Sequence, residues 1–60
     1  MTKLWSLDKI AEHIDYGESV ARRLVAQPDF PKPVRLFNGA HPRWIAREVI
    51  QYCEAKKEAA

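Results

Sequence analysis

Arg22 and Arg23 are the side chains of this 60-residue sequence whose type and placement promise chemistry most directly. Each guanidinium carries five donors in a rigid fork, which can hold a phosphate or take the O6 and N7 acceptors of a guanine edge as a pair. Lys32, Arg35, Arg43 and Arg47 follow, and from residue 22 to residue 47 only Asp29 opposes these six cations, a net of +5. Residues 1–21 instead carry Lys3 and Lys9 against Asp8, Glu12, Asp15 and Glu18, a net of −2, and the remaining tail carries −1. The basic middle is a candidate phosphate footprint. The plainer alternative is an ordinary solvated face.

His13, His41 and Cys53 are too few and too scattered for a zinc site, which shows paired ligands at short spacing. A Cys/His nucleophile pair would lack both an oxyanion hole and a pocket, so no catalysis, metal or cofactor is expected. Cys53 reads as a small core residue, and as the only cysteine it can form no internal disulfide, which fits a reducing, cytoplasmic compartment. No apolar run approaches the roughly 20 residues of a membrane span, and the N-terminus lacks the charged-then-apolar order of a signal peptide. A soluble protein with no membrane partner is therefore expected. A chain of this length makes one small domain, over 1–60, burying only roughly 60% of the surface its unfolded form exposes. A convex binding surface needs less scaffold than a pocket does.

The elements that must position the arginines follow from the apolar spacing. Leu7, Ile10, Ala11 and Ile14 recur at i, i+3, i+4 and i+7, which predicts a first helix over about 7–14. Ser6 can cap it, with Trp5 folding over Ile10 as a hydrophobic staple. Asp15, Tyr16 and Gly17 break the pattern, and so short a turn makes the next helix cross the first as a helix-turn-helix pair. That second helix is expected over about 18–27, with Val20, Ala21, Leu24 and Val25 inward and Ser19, Arg22, Arg23 and Ala26 outward, until Pro28 ends it. Phe30, Pro31, Lys32 and Pro33 predict a stiff connector. Asn38-Gly39 then signals a hairpin, a two-stranded wing over about 33–45 in which Pro42 needs an edge or a bulge. Ala46, Val49, Ile50 and Cys53 mark a third helix over about 46–57, leaving Glu58-Ala59-Ala60 as a frayed tail. Trp5, Phe30, Trp44 and Tyr52 stand beside these stripes and read as core or rim before they read as stacking platforms for single strands.

This order of elements gives an α+β fold, a small winged helix. The run Ala21-Arg22-Arg23-Leu24-Val25 followed by Phe30-Pro31-Lys32-Pro33-Val34-Arg35 resembles the recognition helix and wing entry of lambdoid phage excisionases. Trp44 and Arg47-Glu48-Val49 resemble the opening of that family's last helix. The sequence from Leu7 to Glu54 is thus similar to the excisionase and AlpA-like families of phage and prophage DNA-binding proteins, within the MerR-like winged-helix group. The resemblance implies a second helix in the DNA major groove and a wing against the neighbouring minor groove. One of Arg22 and Arg23 is expected to read a base and the other to hold phosphate. Ser19 can donate to phosphate near the helix N-terminus or serve as a local cap. Lys32, Arg35 and Arg43 flank the wing, His41 can join them, and Asn38 and Gly39 let its tip approach closely. Phe37, Ala40 and His41 stand where basic-tipped members carry cations, which weighs against minor-groove reading by the tip. Glu18 also departs from the pattern, since an acid at that helix start repels phosphate; it can steady the helix dipole or accept from a cytosine amino group.

The leading expectation is sequence-specific binding of double-stranded DNA by a recombination directionality factor. Several copies would bind adjacent sites cooperatively, bend the duplex and help a tyrosine recombinase (integrase) excise a prophage. An AlpA-like transcriptional regulator would use the same domain on other sites. The DNA-recognition part of a phage packaging small subunit is a third use, weakened because the chain stops soon after the third helix. From a different class, an adaptor could use the exposed arginine face to hold an acidic protein. With all three apolar stripes turned inward, the free protein is expected to be monomeric.

Overall fold

A computed structural model describes residues 3–59. They form β1 (Leu4–Trp5), α1 (Leu7–Ile14), α2 (Glu18–Val25), β2 (Trp44–Ile45) and α3 (Ala46–Ala59). Three helices and a two-stranded antiparallel sheet make this a small α+β protein.

Ser6 starts α1 by accepting from the Lys9 N–H at 3.3 Å, satisfying one of the donors that a helix start leaves unpaired. The other end closes through Asp15, which adopts the left-handed conformation at φ 60°. Tyr16 N–H then donates to Ala11 C=O at 3.1 Å, and Asp15 N–H to Glu12 C=O at 3.2 Å. This is the Schellman closure with aspartate where glycine is usual, a residue whose short polar side chain tolerates that conformation. The chain reverses here, and α2 packs against α1 with small buried residues, Ala11 and Ala21, suited to a close crossing.

α2 ends at Val25, two residues short of the expected Gln27. Pro28 has no N–H to give Leu24 C=O, and its ring drives Gln27 out of the helical conformation. Leu24 C=O instead accepts from Gln27 N–H at 3.1 Å, and the Gln27 side chain caps Arg23 C=O. A following turn, Phe30 N–H to Gln27 C=O at 3.1 Å, carries Phe30 into the core.

The sheet is not the expected wing. β2 pairs with the N-terminal β1, Leu4 opposite Ile45 and Trp5 opposite Trp44, while residues 33–45 contribute a single antiparallel bridge between Val34 and Arg43. The two residues exchange both backbone bonds, at 2.6 and 3.0 Å. The register is that of a hairpin turning at Asn38-Gly39, and Ala40 N–H closes the turn onto Phe37 C=O at 3.0 Å. Of the two central residues only Gly39 has positive φ, 88°, which is the type II arrangement and not the primed one. Type II turns do not match the strand twist and splay the strands they join, which accounts for a ladder of one bridge. Pro42 falls opposite Arg35, at a position of this register that needs no cross-strand donor.

Ile10, Phe30, Trp44 and Val49 form the buried core, one each from α1, the connector, β2 and α3. Trp5 packs on this cluster from β1 and also meets His13, ring centroids 4.9 Å apart, so it does more than staple Ile10. Phe30 stands edge-on to Trp44 and Tyr52, at 6.5 and 4.9 Å, separations at which aromatic pairs attract. Among the described residues the buried Trp44 Nε1–H meets no acceptor.

β2 runs straight into α3, whose first residue, Ala46, donates its N–H to Lys3 C=O at 2.8 Å. The helix continues to Ala59, two residues beyond the expected 57; of the expected frayed tail, Ala60 lies outside the described residues. Among the described residues no helix is long and apolar enough to cross a membrane.

The connector is clasped to α3. Asp29 accepts from the Tyr52 hydroxyl at 2.8 Å and from Lys56 Nζ at 3.0 Å. The Lys56 hydrogen bond, more than the Tyr52 one, holds the Asp29 carboxyl below its usual range, and Asp29 in turn raises the Lys56 ammonium. Both partners are largely exposed, so solvent screens the pair and its contribution to stability is small.

Candidate functional site

Arg22 does not stand alone on the outer face of α2. Its Nε and Nη2 both donate to Glu18 Oε2, one helical turn earlier, with the Nε bond at 3.0 Å. A glutamate four residues before a basic residue is the favourable order for such a pair. The carboxylate takes the Nε/Nη2 edge of the fork and leaves the Nη1/Nη2 edge directed away from it. Glu18 stands in the first turn of α2, the position from which an acid steadies the helix dipole, and its Oε2 also accepts from Arg22.

Arg22 and Glu18 line one wall of an open groove of about 510 Å³ whose other wall is the return of the hairpin, His41, Pro42 and Arg43. The groove therefore gathers three candidate residues, Arg22, His41 and Arg43, from two separate stretches of sequence. Asp8 lies in the same groove, so its two carboxylates balance the two guanidiniums and its floor is not a cation cluster. Arg43 is half-buried and donates through Nη1 to Pro42 C=O at 3.0 Å, which fixes its stem along the hairpin.

Arg23 points elsewhere. It lines a second shallow groove with Tyr16, Gln27, Tyr52 and Lys56, beside the Asp29 clasp. The expectation that Arg22 and Arg23 share one working face thus gives way to two faces, because successive helical residues are about 100° apart and α3 rises beside only one of them. Ser19 is exposed, and its hydroxyl makes no hydrogen bond to α2; the residue before α2 that occupies the cap position is Gly17.

Lys32 is exposed on the connector, where with Pro31 it borders α3 near Glu48 and Gln51. Arg35 lies across the hairpin and donates through Nη1 to Ala40 C=O at 2.7 Å, bracing the turn that Asn38 and Gly39 form. Asn38 and Gly39 are exposed at its end. Beside them, Leu36 and Phe37 are the most exposed large apolar side chains among the described residues, at 67% and 69%.

Cys53 is half-buried on the core side of α3, and burial pushes its thiol above the ordinary value, which leaves it protonated and a poor nucleophile. Among the described residues no three His, Cys, Asp or Glu side chains come together in a way that could hold a metal ion.

A protein-family model described as "Uncharacterised protein" matches residues 1–59. The chain belongs to that family. No curated protein and no solved structure matches it.

Two features of the site escaped the sequence. The Glu18–Arg22 pair is signalled only by its i, i+4 spacing, which does not say whether the arginine meets the acid or an outside partner. The separation of Arg23 from Arg22 had no local signal, since it depends on where Tyr52 and Lys56 of α3 come to lie.

Proposed function

We propose that this protein is a small winged-helix DNA-binding protein of the excisionase type, with α2 as the recognition helix and the hairpin around Asn38-Gly39 as the wing. The observation that carries the reading is the groove in which Arg22 of α2 faces His41 and Arg43 of the hairpin. A helix and a hairpin that line one groove and each bring an arginine to it can engage adjoining grooves of a duplex together. The resemblance of residues 21–35 to excisionase recognition helices supports the same assignment.

On this reading Arg22 reads a guanine. Glu18 fixes its orientation, and the Nη1/Nη2 edge is the pair of donors that a guanine O6/N7 edge accepts. Arg23, without such a partner, holds phosphate, as do Lys32, Arg35 and Arg43 along the wing, with His41 and Ser19 as short-range donors. Glu18 and Asp8 limit non-specific attraction within the groove. One such module buries roughly 600–1,000 Å² of protein surface on DNA, too little for strong discrimination, so neighbouring copies share the recognition. Double-stranded DNA is the partner, in the cytoplasm, with a tyrosine recombinase acting on the bent product and no cofactor.

A gel shift across the native attachment region and across a neighbouring promoter tests this, with bend angles read from circularly permuted probes. Cooperative shifts at phased sites between recombinase arm sites are expected. A single operator overlapping the promoter would reassign the domain to transcriptional regulation. No shift on either DNA would overturn the reading.

A further inference from the structure

The tip of the hairpin carries an apolar pair that none of the contacts above uses. Leu36 and Phe37 are adjacent, 67% and 69% exposed, and pack on nothing in the core. The tip that bears them is braced. Ala40 N–H bonds to Phe37 C=O at 3.0 Å and the Arg35 guanidinium bonds to Ala40 C=O at 2.7 Å. A fully extended chain rises about 3.3 Å per residue, so a turn three to four residues past the Val34–Arg43 bridge reaches at most roughly 10–13 Å beyond it. The minor groove is only about 7.5 Å deep, so a hairpin of this reach can touch its floor. Arg35, His41 and Arg43 lie on the two arms of the hairpin below the apolar end, while Lys32 precedes it on the connector beside α3. A basic stem with an apolar tip matches a minor groove, where phosphates form the rims and stacked bases the floor, better than it matches a uniformly apolar protein surface.

We propose that Leu36 and Phe37 form a wedge that enters the DNA minor groove and partly unstacks one base step, so that this protein bends DNA by insertion at the wing tip. The inference rests on the DNA-binding reading given above. Apolar wedges of this kind kink a duplex by roughly 20–90°, and pyrimidine–purine steps yield most easily. The tip therefore selects TA or CA steps through the ease of unstacking, without hydrogen bonds to bases.

The test compares the parent with the double variant Leu36→Ala/Phe37→Ala, its fold checked by circular dichroism. The probe is a bound duplex with 2-aminopurine at the flexible step beside the α2 site. The parent should raise the 2-aminopurine fluorescence and bend the DNA. The double variant should bind severalfold more weakly, lose the fluorescence rise and lose at least about 20° of bend, the lower limit for a wedge. If the variant no longer binds, Phe37→Leu decides: restored binding and bend support an apolar wedge, and their absence overturns it. Equal bends for parent and double variant overturn the wedge and leave DNA binding standing, whereas a parent that binds no duplex overturns both. The wedge also falls if bending is unchanged and the substitutions instead abolish self-association in sedimentation or binding to vesicles containing phosphatidylserine. In those cases the tip belongs to a second copy or to a lipid surface.

Discussion

Replacing Ile10 with alanine should cost about 2–5 kcal/mol, the range for removing a large aliphatic side chain from a packed core. Ile10 is fully buried and stands where α1, Phe30, Trp44 and Val49 meet, so no neighbour on one side can relax into the gap without leaving another. Proteins hold roughly 0.05–0.15 kcal/mol of stability per residue, or about 3–9 kcal/mol for a chain of this size. The substitution therefore removes a large fraction of the total. Thermal melting should show a midpoint lowered by more than about 10 °C, given about 4–8 °C per kcal/mol for domains of 60–100 residues. Tyr16→Ser, at an exposed position, should melt within a few degrees of the parent. An Ile10→Ala protein as stable as the Tyr16→Ser one would mean that the core is not where the structure puts it.

The second large effect concerns recognition. Arg22→Ala should cost about 1–3 kcal/mol on the preferred site and relax the preference at one base pair, while binding to unrelated duplexes changes little. Arg23→Ala should weaken all duplexes alike, because a phosphate contact carries no sequence information. Glu18→Gln separates orientation from charge. It keeps the side-chain length but removes the carboxylate that fixes Arg22 and repels phosphate, so binding to every duplex should tighten while discrimination falls. Lys57→Ala, exposed near the end of α3, serves as the control and should change neither. Titrating each variant on specific and scrambled duplexes, with helicity checked, reads these four patterns. If Arg22→Ala and Arg23→Ala both stay folded and bind every DNA as the parent does, α2 is not the reading element.

The three helices were legible because each shows its apolar stripe locally. Leu7, Ile10, Ala11 and Ile14 need no distant partner to declare a helical period, and neither do Ala46, Val49, Ile50 and Cys53. Pro28 announced the end of α2 but not its last residue, because the disturbance of a proline reaches back through Gln27 to the bond that Leu24 can accept. The sheet was illegible for the opposite reason. β1 is two residues long, too short to show alternation, and its partner Trp44-Ile45 lies across nearly the whole domain. Asn38-Gly39 located the turn correctly, but only Gly39 takes positive φ, and that difference decides whether the hairpin zips or splays. At the site, the sequence found the cations but not their grouping. Helical geometry alone puts Arg22 and Arg23 on one outward arc, and the packing of α3 beside Arg23 divides that arc between two grooves.

The measurement that bears most directly on the central claim is the affinity of the parent protein for duplex DNA as a function of salt. Arg22, Arg23, Lys32, Arg35 and Arg43 are the cations proposed to contact DNA, and neutralising about three to six phosphates would release the counterions condensed on them. The slope of log K against log salt should then be roughly −3 to −5. A slope near zero, or no binding at low salt, would contradict the account.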